Sequence, residues 1–251
     1  MSDFIDEALQ RLPTETPGWL SEQRRRGRSS WKSSTMPTRK TEDWKYTRLR
    51  VLEEGAYLGR AERQDSSSPA LTALRDQVKI PELDARMLVF VNGFYSPELS
   101  SPTAMDAMEV VHFSEADETQ VETIRAHLGT AADRDKYMFT ALSDSWLDDG
   151  VFVHVTQNSK VTTPLHIVWL TVPQREAFSL SQRLLVVMDA GSEATVVEHF
   201  ASDGAQQNCF TNGVTELVLG ANARLCHYRL HLEEEHALHI GGVHARLDRD
   251  A

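Results

Sequence analysis

The sequence predicts a mainly β protein, a β-solenoid preceded by an α-helical N-terminal region. Three observations carry this. From Gly150 onward nearly every stretch reads as strand or turn. The runs at 183–188, 195–200 and 214–219 are rich in β-branched and aliphatic residues, which suit a pleated surface. The pattern also repeats, as strand, tight turn, strand. One turn is Gly191-Ser192-Glu193-Ala194 and the next is Gly220-Ala221-Asn222-Ala223, with the glycines 29 residues apart. Aligned on those glycines, Val196 falls on Leu225 and His199 on Tyr228. One such unit cannot bury its own apolar face, so the units must stack. A third turn begins at 248–251, where the sequence ends. On this pattern alone an antiparallel sandwich is the alternative.

The elements follow in order. Residues 3–12 place Phe4, Ile5, Ala8, Leu9 and Leu12 on one helical stripe. Thr16-Pro17 is an N-cap and first-turn pair that predicts a second, basic helix over 17–32. Residues 37–49 read as a loop or short helical turn whose Trp44 and Tyr46 pack onto a neighbouring element. A polar linker at 64–69 leads into a short helix opened by Ser68-Pro69, with Leu71, Leu74 and Val78 on one face. These elements make up an N-terminal helical region, 1–82. An entry region of mixed strand and helix spans 83–150. It holds a strand at 87–91, a hairpin signal at Asn92-Gly93 and its return at Phe94-Tyr95. A strand at 110–113 follows, then a helix to Leu128 capped by Ser114 with Asp117, and another over 133–147. Residues 151–251 are the early solenoid rungs: strands at 151–155 and 165–171, then the repeat.

Composition sets outer bounds. The chain has 251 residues, 41% apolar and 25% charged, the profile of a globular protein able to bury a sizeable core. No apolar run is long enough to span a bilayer. The acidic start, Met1-Ser-Asp-Phe-Ile-Asp-Glu, has no apolar core of a secretory signal. Cys209 and Cys226 are the only cysteines, too few for a disulfide framework, so a reducing cytoplasm is the expected compartment. The net charge of −11 is uneven: residues 21–50 carry +7, leaving −18 elsewhere. A basic block can contact nucleic acid. Here the overall negative charge and the absence of any nucleic-acid motif favour a solvated helix face paired within the chain.

Chemistry is sparse. The chain has no phosphate-binding glycine loop, no Cys-x-x-Cys, no His-Glu-x-x-His and no Gly-x-Ser-x-Gly. The one suggestive cluster is Cys226, His227, His231, His236, His239 and His244. His227 and His231 share a face if one strand carries both. Imidazole ligates zinc, iron and copper, but a row of strand histidines without convergence is a stacked or solvated ladder. Cys209 follows Asn208 in a polar turn with no basic neighbour in sequence to activate it. No catalytic, cofactor-binding or metal-binding residue is assigned.

Four blocks carry a family resemblance. Pro37-Thr38-Arg39-Lys40, then Glu42-Asp43-Trp44-Lys45-Tyr46-Thr47, resembles the N-terminal signature of SufD-type members of the SufB/SufD family, from the SUF system of iron–sulfur cluster assembly. The likeness continues through Leu88-Val-Phe-Val-Asn-Gly-Phe-Tyr95 and Leu99-Ser100. It resumes at Gly191-Ser-Glu-Ala-Thr-Val-Val-Glu-His-Phe200 and at Ala221-Asn-Ala-Arg-Leu. Residues 101–185 match only loosely. The resemblance implies an N-terminal helical region, a right-handed parallel β-helix and a C-terminal helical region. It implies a scaffold without catalysis of its own, paired with a SufB-like paralogue through the β-helices and docked to a SufC-like ATPase. Iron or cluster would be handled by the assembled complex rather than held as a cofactor by this segment. Family members are longer than this chain, so the later coils and the SufC-docking region have no counterpart in it, and none of their residues is carried over.

Two readings from other classes remain at this point. One is a carbohydrate-active β-helix enzyme, which the missing secretory signal and absent acid pair disfavour. The other is a small cupin-like barrel binding metal through the histidines after Cys226. The chain end also predicts an open edge over 223–247, through which the polypeptide would self-associate.

Overall fold

A computed structural model describes residues 4–11, 17–55, 57, 59–102, 107–204, 206 and 208–251. Asp3, Leu12 and Thr16, assigned above to a helix and its neighbour's cap, lie outside them. The helices are α1 (Phe4–Ala8), α2 (Ser21–Ser33), α3 (Arg50–Glu54), α4 (Pro69–Gln77), α5 (Glu118–His127) and α6 (Met138–Ser145). The strands before the repeat are β1 (Gly59–Arg60), β2 (Arg86–Val91), β3 (Phe94–Tyr95), β4 (Met108–His112), β5 (Val151–Val155) and β6 (Leu165–Thr171). The repeat supplies β7 (Phe178–Met188), β8 (Glu193–Ser202), β9 (Cys209–Leu219), β10 (Arg224–Leu232) and β11 (Leu238–Leu247). Among the described residues no helix is long and apolar enough to cross a membrane.

Successive strands alternate between two sheets, and this makes the solenoid. One sheet runs β11-β9-β7-β5-β4, with β1 also on β7; the other runs β10-β8-β6-β2-β3. All pairings are parallel except the β2–β3 hairpin and β4 on β5. Parallel stacking rules out both the antiparallel sandwich and the cupin-like barrel. Parallel sheets covered on both faces read as continuous apolar runs, and β9 is buried at all 11 positions. The strands that end each sheet, β10 and β11, alternate instead. Strands β2 and β4, ahead of residue 151, join the same two sheets.

The stacking corrects the glycine alignment. Ala194 pairs with Leu225, Val196 with His227 and His199 with Leu230, a step of 31 residues rather than 29. The turns do stack, but their equivalent positions are Asn158, Gly191, Asn222 and Asp250. All four have positive φ, at 56°, 69°, 59° and 61°. They form a column: Asn158 N–H donates to Ala190 O, Gly191 N–H to Ala221 O, and Asn222 N–H to Arg249 O, at 3.0, 2.9 and 3.0 Å. Asn and Asp are the non-glycine residues that best tolerate the left-handed region. The partner of Gly191 is therefore Asn222, and aligning glycine with glycine shifts the register by two.

Three apolar layers hold the molecule. Between the sheets, Val151, Val153, Val155, Leu184 and Val186 meet Ile167, Trp169, Val196 and Phe200. On the outer face of the first sheet, Phe152, Leu185, Val187 and Val218 are covered by Leu20, Phe113, Ile124 and Leu147. On the outer face of the second, Val89, Val168 and Leu170 are covered by Leu71 of α4 and by Leu99. Helix α2 lies directly on α6 because position 27 is glycine; a Cβ there would stand 2.5 Å from Ser145 N. Helix α5 is capped by Asp117, whose carboxylate accepts from Gln120 N–H, with the Gln120 side chain returning to Asp117 N–H. The cap is thus Asp117 and not Ser114, which instead hydrogen-bonds Asp149 through both its amide and its hydroxyl.

A buried ionic knot joins the helical layer to the first sheet. Arg183 of β7 is fully buried, with Nη1 3.0 Å from Asp144 of α6 and Nη2 2.5 Å from Glu216 of β9. Asp144 also receives Arg134 at 2.7 Å and Gln23 of α2 at 2.9 Å. Glu216 accepts three amides, from Gly129, Ala131 and Ala132. The basic block does not reach the acidic body as a whole. Arg25 and Arg26 pair with Glu22 one turn away, in exposed contacts of little energetic value. Arg24 and Arg28 donate to the carbonyls of Leu147 and Leu9.

Residues 42–44 form a single 3-10 turn. Trp44 is half-buried, its ring 5.3 Å from that of Phe139. Tyr46 is 90% exposed, which corrects the expectation that it packs with Trp44. Tyr46, two residues past Trp44, lies outside the apolar cluster that takes the Trp44 ring. Trp44→Ala should therefore cost about 1–2 kcal/mol, the value of a partly buried ring. Tyr46→Ala should stay within about 0.5 kcal/mol in urea unfolding.

Candidate functional site

The residues with chemistry gather inside the solenoid at the coil formed by β10 and β11. Alternation along β10 turns Leu225, His227, Arg229 and His231 inward and Cys226 and Tyr228 outward. Leu225 packs on the inner core, His227 reaches Glu198, and Arg229 and His231 both lie against the Phe200 ring. The expectation that His227 and His231 share a face therefore holds.

Glu198 is a carboxylate at the centre of the core, 2% exposed. It accepts the Thr215 hydroxyl at 2.6 Å, lies 3.0 Å from His227 Nε2, and faces the Trp169 indole N–H at 3.4 Å. Burial opposes its ionisation, but the His227 hydrogen bond, Arg229 and Thr215 outweigh it and hold its pKa below the usual value. Arg229 extends over Phe200, 4.7 Å from the ring centroid.

Beyond this pair, the chain reverses between β10 and β11. The turn is drawn tight by Glu234 N–H donating to Ser202 Oγ at 2.7 Å and Ala237 N–H to Glu234 O at 3.0 Å. The reversal sets His239 of β11 against His231 of β10, ring centroids 4.5 Å apart and planes at 77°. Glu233 lies between them. Its Oε2 is 2.7 Å from His239 Nδ1 and 3.4 Å from His231 Nδ1. Burial raises the Glu233 pKa, but the His239 and then the His231 contacts outweigh it, so the carboxyl titrates below its usual range. Burial, then the neighbouring His239 and Arg229, lowers the pKa of His231.

The other residues of the sequence cluster go elsewhere. His236 lies in the exposed turn, its Nδ1 2.5 Å from Glu234. His244 projects from the opposite face of β11 and packs on Tyr137, centroids 5.0 Å apart. Cys226 is exposed. Cys209 is buried, and burial pushes its thiol up to about 12, so it is no thiolate nucleophile at neutral pH. Sequence reasoning missed Glu198, Arg229 and Glu233, which complete the interior set. It also missed His166 and His199, a stacked pair on the outer face of the second sheet, Nε2 to Nδ1 3.2 Å. Burial, then His199, pushes His166 down to about 4, which keeps it neutral.

At the other end of the solenoid a cavity of about 610 Å³ is lined by Phe90, Tyr95, Trp169, Gln182, Arg11 and Asp148. Burial lowers the Arg11 pKa to about 10 and raises that of Asp148, each shift partly offset by the other's charge.

Two family models together match nearly the whole chain. The family model for the SufBD protein N-terminal region covers residues 1–167. The model for the SUF system FeS cluster assembly SufBD core domain covers 171–251. An iron-sulfur cluster assembly SufBD family protein of Synechocystis is 26% identical over 216 residues, 83% of this chain and 46% of that protein. The iron-sulfur cluster assembly protein SufD of Escherichia coli is 29% identical over 221 residues, 86% of this chain and 47% of that protein. The chloroplastic protein ABCI7 of Arabidopsis thaliana is 22% identical over 228 residues, 87% and 46%. The chain spans about half the length of the curated relatives it matches.

Proposed function

The chain belongs to the SufBD family of SUF-system iron–sulfur cluster assembly proteins, and from that premise we propose that it is scaffold, not catalyst, in such a complex. The observation that carries this reading is the order of the two family regions. The two family regions follow one another along the chain and meet within β6, so the first takes in the helical layer and the opening strands of both sheets and the second the repeat. In this reading the solenoid pairs with a SufB-like paralogue, and a SufC-like ATPase supplies the nucleotide chemistry. The cluster or its iron is cargo of the assembled complex. The place of action is the cytoplasm, where two free cysteines stay reduced. The buried, protonated thiol of Cys209 supports a scaffold rather than a sulfur-transferring role for that residue.

The test is reconstitution. The protein is expressed with its SufB-like and SufC-like partners from the same genome, with the affinity tag on SufC only. Retention of all three through size exclusion is the expected result. A SufB–SufC complex that forms fully and excludes this protein overturns the assignment.

A further inference from the structure

We propose that His231, Glu233 and His239 form a binding site for one divalent transition-metal ion at the β10–β11 end of the solenoid. The inference stands on the geometry of this chain and does not depend on the assembly role above.

The three side chains offer two imidazole nitrogens and one carboxylate oxygen, all within 4.8 Å of one another. An ion held tetrahedrally at about 2.0–2.1 Å from such ligands needs them about 3.3–3.4 Å apart. His231 Nδ1 and Glu233 Oε2 already stand at 3.4 Å. His239 Nδ1 and Glu233 Oε2, at 2.7 Å, are hydrogen-bonded and need to separate by well under an ångström. The ligands sit on or beside rigid elements: His231 in β10, His239 in β11, and Glu233 one residue past the end of β10. Each strand is in register with its neighbour along its whole length.

The surroundings favour an ion over a plain hydrogen-bonded cluster. Glu233 and His239 have side chains only 10% and 12% exposed, so their contact is screened from water. His231, the third ligand, is 44% exposed. The donor set selects the metal class. Two imidazoles and a carboxylate suit zinc, cobalt or ferrous iron; calcium and magnesium prefer all-oxygen shells, and no thiolate is present to select cuprous copper.

One neighbour works against the ion. Arg229 Nη2 lies 3.5 Å from His239 Nε2, so a guanidinium charge stands behind the ligand. Removing that charge should tighten binding, which a merely structural histidine cluster would not show.

The experiment uses untagged protein stripped with a chelator and titrated with Co²⁺ and Zn²⁺. The expected result is one equivalent of Co²⁺ with visible absorption of a low-coordinate N/O site, displaced by Zn²⁺. His231→Ala, His239→Ala and Glu233→Gln should each weaken Zn²⁺ binding by more than the about 10–100-fold that losing an outer-shell partner costs. Glu233→Gln is nearly isosteric and guards against loss of fold as the cause; its circular dichroism should match the parent. His236→Ala, in the adjacent exposed turn, should leave affinity unchanged, and Arg229→Gln should increase it. Absence of a stoichiometric site in the parent overturns the proposal. So does binding that survives His231→Ala and His239→Ala, or binding lost with His236→Ala instead.

Discussion

Replacing Arg183 with methionine is expected to cost about 3–5 kcal/mol in urea unfolding, the usual penalty for breaking a buried ion pair from one side. Arg183 is fully buried, and so are the carboxylates it neutralises, Asp144 and Glu216. Methionine fits the volume but leaves two acids in the same dry space. Asp144 retains Arg134 and Gln23. Glu216 retains three backbone amides but loses its only cationic partner within 4.0 Å among the described residues, so it carries most of the loss. In the parent protein, burial opposes ionisation of Glu216, but Arg183 and the amides of Gly129 and Ala132 outweigh it and set its pKa below 4.5. A folded pKa below the unfolded one stabilises the fold above pH 4.5, and that contribution fades as pH falls through the lower folded value. In Arg183→Met the Glu216 pKa should rise, so the variant should recover part of its deficit on acidification to pH 5. A loss under about 1 kcal/mol at pH 7 would mean that water reaches the carboxylates.

What the sequence showed about this molecule follows the range of its interactions. Local signals were sound. Asn92-Gly93 makes a two-residue hairpin with both φ positive, at 49° and 82°, as that pair of residues favours. The stripe Leu71, Leu74, Val78 does face one apolar layer. The solenoid was visible because β5 to β9 are largely buried on both faces and carry apolar runs such as those at 151–153, 167–170, 184–188 and 217–219. Its register was not, because the left-handed corner accepts Asn and Asp as readily as Gly. Coil length also varies, from 33 residues between Val151 and Leu184 to 28 between Phe210 and Leu238. Tyr46 and Trp44 look alike in sequence, and only tertiary placement buries one of them. The site is the extreme case. His231 and His239 were both in view as types, but Glu233 reads as one of a run of three exposed acids. What makes it a partner is the reversal between β10 and β11, anchored on Ser202 some thirty residues earlier. Arg183 likewise sits in an apolar strand with nothing nearby to announce the two acids that enclose it.

The second large effect is expected at Trp146, where the N-terminal helices meet the sheet. Its indole is 1% exposed. The N–H donates to the carbonyl of Ala8 at 2.9 Å, which fastens the end of α1. Its ring meets Phe210 of β9 edge-on at 6.1 Å, and Phe210 in turn meets Phe4 and Phe139. The Arg11 guanidinium stands 4.6 Å above the ring. Three kinds of contact therefore end on one side chain, and they can be separated. Trp146→Ala removes all of them and opens a cavity the size of an indole, so it should cost about 3–5 kcal/mol. Trp146→Phe keeps much of the apolar volume and the edge contact, but leaves the Ala8 carbonyl without its donor. That orphaned acceptor should cost about 1–3 kcal/mol. Urea unfolding of the two variants, followed by circular dichroism, measures the difference. If phenylalanine costs as much as alanine, the hydrogen bond to α1 is the dominant tie and the ring packing is secondary. If phenylalanine costs almost nothing, Ala8 has found water, and α1 is held by Phe4 and Ile5 against Trp31 and Phe210 rather than by the indole.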